Sequence, residues 1–311
     1  MESSIPVIDF SVYRLQIDDE KTVKIDDLKA IADELLSALG GVGFFYIKNH
    51  GFPSDLVASL RRITREFFEQ PEAVKCQYAR QVATNNGWVA TGRESLNPMR
   101  PGDYKEAYNY MPNETGQKWP EFLPDFVPLH TKFFTQAKKL TERLLDVLSI
   151  SLGLKDRTFM RNCHRLMGHP GNCTAIRSLY YPPVTKPLEK EQIRLGEHSD
   201  YGTVTLLFQD DVGGLQVQTK DGNFVEVPPI PDTIVVNTGD LLQRWTSDAI
   251  IAAKHRVLIP EEERKKELPR QSFAFFVHPD DEVMIECLDG SNKYEPVTGK
   301  GYLDMRFAVT Y

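Results

Sequence analysis

The sequence predicts a mainly β protein, a jelly-roll core of two sheets flanked by α-helices. From residue 173 onward, short apolar runs alternate with Gly, Pro and Asp turns: TAIRSLYY, TVTLLFQ, GLQVQT, FVEVPP, TIVVNTG, KHRVLI and QSFAFFV. Many short strands separated by turn signals belong to double-sheet or barrel folds. The N-terminal half instead repeats its apolar residues at helical spacing.

In chain order, IPVIDF at 5–10 reads as a short apolar strand. Over 25–39, IDDLKAIADELLSAL keeps a helical period, with acids near its start where the helix dipole favours them. Gly40, Gly41 and Gly43 close this helix, and FFYIK follows as a strand. A second helix is expected over 54–69, closed by Gln70-Pro71. Residues 84–104 are rich in Gly, Pro and Asn and predict a long irregular loop, a kind that often carries function. Trp88, Arg93 and Tyr108, in or just after it, are candidates for a lid. The longest helical pattern spans 127–153 and stops at Gly153, with a shorter helix expected near 156–162. In the β-rich half, DLLQRWTSD reads as a helical turn, VGGLQV as a strand turn and PEEERKKELPR as a solvated charged loop. The expected division is an N-terminal region over 1–120 packing on the core, a long helix and connector over 121–170, and the jelly-roll core with a C-terminal extension over 171–311.

With 311 residues, 41% hydrophobic and 10% aromatic, the chain can bury a substantial core. A net charge of −7 gives no electrostatic footprint for nucleic acid or an anionic membrane. No apolar run reaches the length of a membrane span, and MESSIPVIDF lacks the basic and apolar parts of a secretory signal. Cys76, Cys163, Cys173 and Cys287 are too few for a disulfide scaffold and read as reduced thiols of a cytoplasmic protein. GxGxxG and P-loop patterns are absent, and no obligate protein partner is evident, so the expected partner is a small molecule.

His198-Ser199-Asp200, followed by His255, carries the chemistry. Spacing of two puts His198 and Asp200 on one face of a strand, and His255 is far enough away to come from another strand of the same sheet. Two imidazoles and one carboxylate leave open coordination positions and suit non-haem Fe(II). A rival cluster, Cys163, His164, His169 and Cys173, matches no structural zinc spacing. Downstream, Arg270 and Ser272 share a strand face. A guanidinium fork beside a hydroxyl holds a carboxylate in one orientation. The bland alternative for Arg270 is a surface ion pair, but its neighbours Phe273, Ala274, Phe275 and Phe276 are apolar, and a buried guanidinium needs a partner.

These motifs, together with IPVIDF, GFFYIKNHG, EFFEQPEAVK, GEHSDYGTVTLLFQDDVGGLQV and NTGDLLQRWTSD, resemble in content and order the Fe(II)- and 2-oxoglutarate-dependent dioxygenases of the isopenicillin N synthase-like family. Within it the likeness is to fungal thymine 7-hydroxylase and to fungal oxygenases of aromatic polyketides. The resemblance implies a double-stranded β-helix core, Fe(II) held by His198, Asp200 and His255, and 2-oxoglutarate and O2 as co-substrates yielding succinate and CO2. It places Arg270 and Ser272 on the far carboxylate of 2-oxoglutarate, assisted by Tyr181, and implies no catalytic residue beyond the metal ligands. Leu179 stands where the family often has Asn, which puts the remaining co-substrate contacts in doubt. Isopenicillin N synthase has the Arg-x-Ser pair yet uses no 2-oxoglutarate, so the pair alone does not establish the co-substrate.

Arg177, Tyr201 and Phe276 match base-contacting positions of the thymine-hydroxylating relatives; plain core is the competing reading for the two aromatics. The expected activity is hydroxylation of a C–H bond, foremost a methyl, on a small planar oxygenated ring, a pyrimidine or an aromatic polyketide, in secondary metabolism. Oxidative ring expansion, desaturation and cyclisation are alternatives with the same iron chemistry. From other classes, a non-catalytic binding module on this fold remains open. So does a zinc hydrolase, although the His-x-Asp has no recognisable general base of the kind a zincin helix supplies.

Overall fold

The computed structural model describes residues 5–81, 84–94, 101–112, 117–185, 187–260, 262 and 266–310. The chain begins with β1 (Val7–Asp9), α1 (Ile25–Gly41), β2 (Phe44–Lys48) and α2 (Ser54–Phe68). A short α2-to-sheet connection holds α3 (Glu72–Lys75) and leads to β3 (Gly87–Val89) and β4 (Glu106–Tyr110). The long α4 (Phe126–Ser151) and one-turn α5 (Phe159–Asn162) follow. Then come β5 (Ala175–Tyr181), β6 (Leu195–His198), β7 (Val204–Gln209), β8 (Leu215–Gln218), β9 (Phe224–Glu226) and β10 (Ile234–Thr238). The chain ends with α6 (Asp240–Trp245), β11 (His255–Val257), β12 (Arg270–Val277), β13 (Met284–Ile285), β14 (Val297–Thr298) and α7 (Gly299–Thr310).

Eight strands form the large sheet, in the order β1-β2-β10-β7-β12-β5-β4-β3, and four form a smaller one, β6-β11-β8-β9. This is the jelly-roll architecture the turn-punctuated sequence predicts. The large sheet takes four strands from the 1–120 region and four from the 171–311 core.

Strand β12 lies at the centre, paired antiparallel with β5 on one side and β7 on the other. Its side chains alternate between two environments, as a strand with both faces covered requires. Phe273, Phe275 and Val277 belong to the core beneath the helices. On α4, Phe133 packs against Phe208 and Phe273 at 4.8 and 5.6 Å between centroids, and Phe134 meets Phe275 at 5.1 Å. Each such ring contributes about 1.5–3 kcal/mol through burial alone. A second core, with Tyr46, Leu179, Tyr181, Val217, Val257 and Ala274, draws its residues from both sheets. The functional cavities open into this inter-sheet layer.

Several boundaries differ from the sequence expectation. Helix α1 continues through Gly40 and Gly41 and ends only before Gly43, whose φ is +75°. The short helix near 156–162 is reduced to Phe159–Asn162. Of the expected 84–104 loop, residues 95–100 lie outside the described residues, but Gly87–Val89 is a strand. Its backbone passes Tyr78 so closely that a Cβ on Gly87 would stand 2.7 Å from the Tyr78 carbonyl oxygen. A glycine signal that reads as irregularity is here a close approach of two chains.

Trp88 and Tyr108 are therefore not a lid. Trp88 Nε1 donates to Glu106 at 2.7 Å, and Tyr108 packs edge-on against Phe67 and Phe126, each at 5.0 Å. Arg93 is exposed. In the expected charged loop, residues 261 and 263–265 lie outside the described residues.

Candidate metal and co-substrate site

Strands β6 and β11 pair with His198 directly opposite His255, and the two imidazoles stand 4.2 Å apart between centroids. Each ring is aimed by the backbone beside it. His198 Nδ1 lies 2.9 Å from the Gly196 carbonyl oxygen, and His255 Nδ1 lies 3.2 Å from that of Ala253. A carbonyl acceptor at Nδ1 keeps the proton there and leaves Nε2 as the free lone pair.

Asp200 reaches the same point by another route than strand alternation. Strand β6 stops at His198, and Asp200 forms an isolated bridge with Gly239 instead. The backbones of the two turns touch here. A Cβ on Gly239 would lie 2.4 Å from the Gly202 carbonyl oxygen and 2.9 Å from that of Asp200. A Cβ on Gly202 would lie 2.3 Å from the Val277 carbonyl oxygen.

The Asp200 carboxylate is then oriented by two donors. Its Oδ2 accepts from Thr205 Oγ1 at 2.7 Å and from Asn237 Nδ2 at 2.6 Å. Its Oδ1 is left 3.7 Å from His198 Nε2 and 3.8 Å from His255 Nε2. One ligand atom from each of the three residues lies within 4.8 Å of the others, and no other such group gathers among the described residues.

Burial, with His255 beside it, holds the His198 pKa well below the ordinary histidine value. Burial works against the Asp200 charge. His255, His198 and the bonds from Thr205 and Asn237 outweigh it and hold this carboxyl below its usual range. A neutral imidazole beside an ionised carboxylate is the ligand form a divalent cation takes, and this donor set fits non-haem Fe(II). The rival zinc cluster does not form. Both nitrogens of His164 are engaged, by the Met160 carbonyl at 2.6 Å and by Thr203 Oγ1 at 2.8 Å.

A cavity of about 40 Å³ joins His198, Asp200 and His255 to Tyr181, Arg270 and Ser272. Arg270 is 1% exposed. Its Nε donates to the Gly213 carbonyl at 3.0 Å, its Nη1 to Ser272 Oγ at 3.3 Å, and its guanidinium lies 4.8 Å over the Tyr181 ring. Its Nη2 is buried without a hydrogen-bond partner among the described residues. A buried cation with an unfilled donor is costly, and a ligand carboxylate in this cavity would fill it. The site thus fits 2-oxoglutarate as well as iron.

A larger neighbouring cavity, about 120 Å³, is bordered by Arg177, Tyr201, Phe276 and the metal-side residues His198 and Asp200. Leu179 and Phe276 line both cavities. Arg177 is held by neighbouring side chains. Its Nη1 donates to Asn109 Oδ1 at 3.1 Å, and its Nη2 is ion-paired with Glu94. Glu94 also accepts from Lys105 at 3.1 Å, and Lys105 bonds Asp103 at 2.8 Å. The sequence reading missed Glu94 and Lys105, which sit in or beside the segment read as a loop. It also missed His278 and Phe307, which line the cavity. Phe307 comes from α7 and lies 6.2 Å from the Tyr201 ring, over which Arg306 sits at 4.5 Å.

Known proteins resemble the chain over nearly its full length. The family model of the 2OG-Fe(II) oxygenase superfamily matches residues 171–279, and the model for the N-terminal region of the non-haem dioxygenase in morphine synthesis matches 5–129. The 2-oxoglutarate-dependent dioxygenase htyE of Aspergillus rugulosus is 30% identical over 99% of this chain and 99% of its own. The chain belongs to the 2OG-Fe(II) oxygenase superfamily. The oxygenase is also similar to proline hydroxylase buaE of Petromyces alliaceus, 32% identical over 91% of this chain and 94% of that one. Among solved structures, the full-length thymine 7-hydroxylase of Neurospora crassa in complex with alpha-KG and thymine superposes with a TM-score of 0.86 at 31% identity, covering 99% of this chain and 97% of that one. The protein is an Fe(II)- and 2-oxoglutarate-dependent dioxygenase, which removes the binding-module and zinc-hydrolase readings. No described helix of the oxygenase is long and apolar enough to cross a membrane.

Proposed function

We propose that the oxygenase hydroxylates a C–H bond, foremost a methyl, of a small planar oxygenated ring, either a pyrimidine or an aromatic polyketide. In this reading His198, Asp200 and His255 hold Fe(II), and Arg270, Ser272 and Tyr181 hold 2-oxoglutarate. Arg177, Tyr201 and Phe276 hold the ring. The observation that carries it is the position of Phe276, which borders both the cavity running from the triad to Arg270 and the cavity beyond. A ring stacked on Phe276 lies beside the triad with its co-substrate on the other side.

Fe(II) with 2-oxoglutarate supplies, when bound, an O2-dependent oxidation that yields succinate, CO2 and a hydroxylated carbon. The protein's own groups set where that oxidation falls. His198 and His255 present fixed Nε2 lone pairs, and Thr205 and Asn237 keep Asp200 from rotating. Arg270 neutralises the far carboxylate in a dry setting, where a charge-assisted contact is strongest. Arg177, Asn109 and Glu94 place donors and an acceptor side by side on the cavity wall. Such a wall suits a ring edge that carries both C=O and N–H groups. Which carbon reacts is then a matter of positioning.

The test is a succinate-release screen with product masses, over thymine, methylated phenolic aldehydes and free proline. Turnover and hydroxylated product are expected with a ring substrate. Phe276→Ala should weaken ring binding by about 1–3 kcal/mol, the scale of one stacking contact, and leave 2-oxoglutarate affinity nearly unchanged. Turnover of proline alone, insensitive to Phe276→Ala, would remove the proposal.

A further inference from the structure

The inward-facing positions of β12 form a continuous row. Arg270, Ser272 and Ala274 line the smaller cavity, Phe276 lines both, and His278, one residue past the strand end, lines only the larger one. His278 is 7% exposed, and its ring makes no hydrogen bond among the described residues. The other buried histidines differ. His130 is bonded at Nδ1 by the Phe126 carbonyl and reaches Ser178 Oγ with Nε2, and His164 uses both nitrogens. His255 is bonded at Nδ1 and turns Nε2 to the triad.

The position of His278 is nonetheless firmly held, through its backbone. Its N–H donates to Thr174 Oγ1 at 3.1 Å, and its carbonyl accepts from Asn172 Nδ2 at 2.8 Å. Two polar side chains therefore fix a residue whose own ring bonds nothing among the described residues. The Nδ1–Cε1 edge of that ring is pressed against Gly202, where a Cβ would come within 2.8 Å of Nδ1 and 3.0 Å of Cε1. Nδ1 is sealed there without a partner, so the edge left for the cavity is Nε2 and Cδ2. Burial holds this histidine down to about 4, so at neutral pH one ring nitrogen donates and the other accepts. An N–H sealed against Gly202 would be an orphaned donor, which proteins avoid more strictly than an idle acceptor. The proton therefore sits on Nε2.

We infer that His278 is a substrate-recognising residue whose Nε2–H donates to an oxygen on the edge of the substrate ring farthest from the co-substrate. The inference rests on the proposed planar oxygenated-ring substrate and adds the oxygen that such a ring must carry. It also explains why Phe276 and His278 stand two residues apart on one face. The first stacks on the ring, and the second reads its rim.

Thymine serves as the probe, titrated calorimetrically under anaerobic conditions into protein carrying Fe(II) and 2-oxoglutarate. His278→Leu should weaken thymine binding about tenfold or more, the loss of one hydrogen bond in a dry site. His278→Gln, whose amide nitrogen can take the place of Nε2, should recover most of the affinity. Neither change should lower the melting temperature or the affinity for 2-oxoglutarate, because the ring holds nothing else in place. Thymine affinity unchanged in His278→Leu would overturn the inference while the ring reading stands. So would a Leu variant that loses thymine, 2-oxoglutarate and thermal stability together, the pattern of a structural residue. If wild-type protein binds neither thymine nor a methylated phenolic aldehyde, the ring reading falls and the inference with it.

Discussion

Replacing Arg270 by alanine tests the proposed hold on 2-oxoglutarate. In the protein alone, two of the three guanidinium nitrogens are already spent, Nε on Gly213 and Nη1 on Ser272. Only Nη2 is buried and unfilled, so the ligand gains one new charged donor there, with Ser272 Oγ beside it. A hydrogen bond to a charged group is worth about 1.5–3 kcal/mol. At about 1.4 kcal/mol per decade, Arg270→Ala should raise the dissociation constant of 2-oxoglutarate roughly tenfold to 150-fold. Lysine should recover only part, since an ammonium cannot bond Gly213 and the ligand in the same fork. The assay is anaerobic calorimetry of 2-oxoglutarate binding to the Fe(II)-loaded protein, with a melting curve to confirm folding. A folded alanine variant within about threefold of wild type would refute the reasoning, since that difference is under 1 kcal/mol.

Asp200→Ala should abolish Fe(II) retention in anaerobic equilibrium dialysis. Asn237→Ala, which only frees the carboxylate to turn, should weaken it by about 10–100-fold; retention in Asn237→Ala equal to wild type would show that the orienting bond is idle. Phe133→Ala removes a fully buried ring between α4 and the large sheet and should cost about 3–5 kcal/mol in chemical denaturation. Burial holds His130 and His164 down to about 4, against an ordinary value of 6.5. The unfolded chain therefore takes up their protons first. The stability they confer is complete above 6.5 and is lost as pH falls towards 4. Denaturation midpoints at about pH 7.5 and about pH 5 should show this decline, and an unchanged midpoint would exclude it.

What could be read from the residues follows from how local each determinant is. Strand β12 is legible because PRQSFAFFV alternates its chemistry over one uninterrupted strand, so that Arg270, Ser272 and Phe276 fall on one face. The candidate ligands His198, Asp200 and His255 were legible as residue types, but the path of Asp200 was not. Its place depends on a turn against Gly239, far away in sequence. Strand β4 is disguised by Glu106 and Asn109. Both are buried because Lys75, Trp88 and Arg177 come from other elements to meet them. His278 stands in the run RQSFAFFVHP, but nothing in that run gives its ring a role. Only the count of what its ring does not bond, in three dimensions, sets it apart from His130 and His164.

The contact between Gly202 and Gly239 divides the active site for evolution and for engineering. Any side chain at either position would drive into backbone that carries Asp200 or the end of β12. The corner that anchors the carboxylate therefore admits no intermediate variants, and random mutagenesis there will return inactive clones whatever the substrate. The walls formed by Leu179, Phe276, His278 and Phe307 are made of side chains and can change one at a time. New specificities are thus reachable by stepwise substitution without passing through a loss of the iron centre. A saturation library confined to those four positions should yield altered substrate ranges at a far higher frequency than one that includes the two glycines.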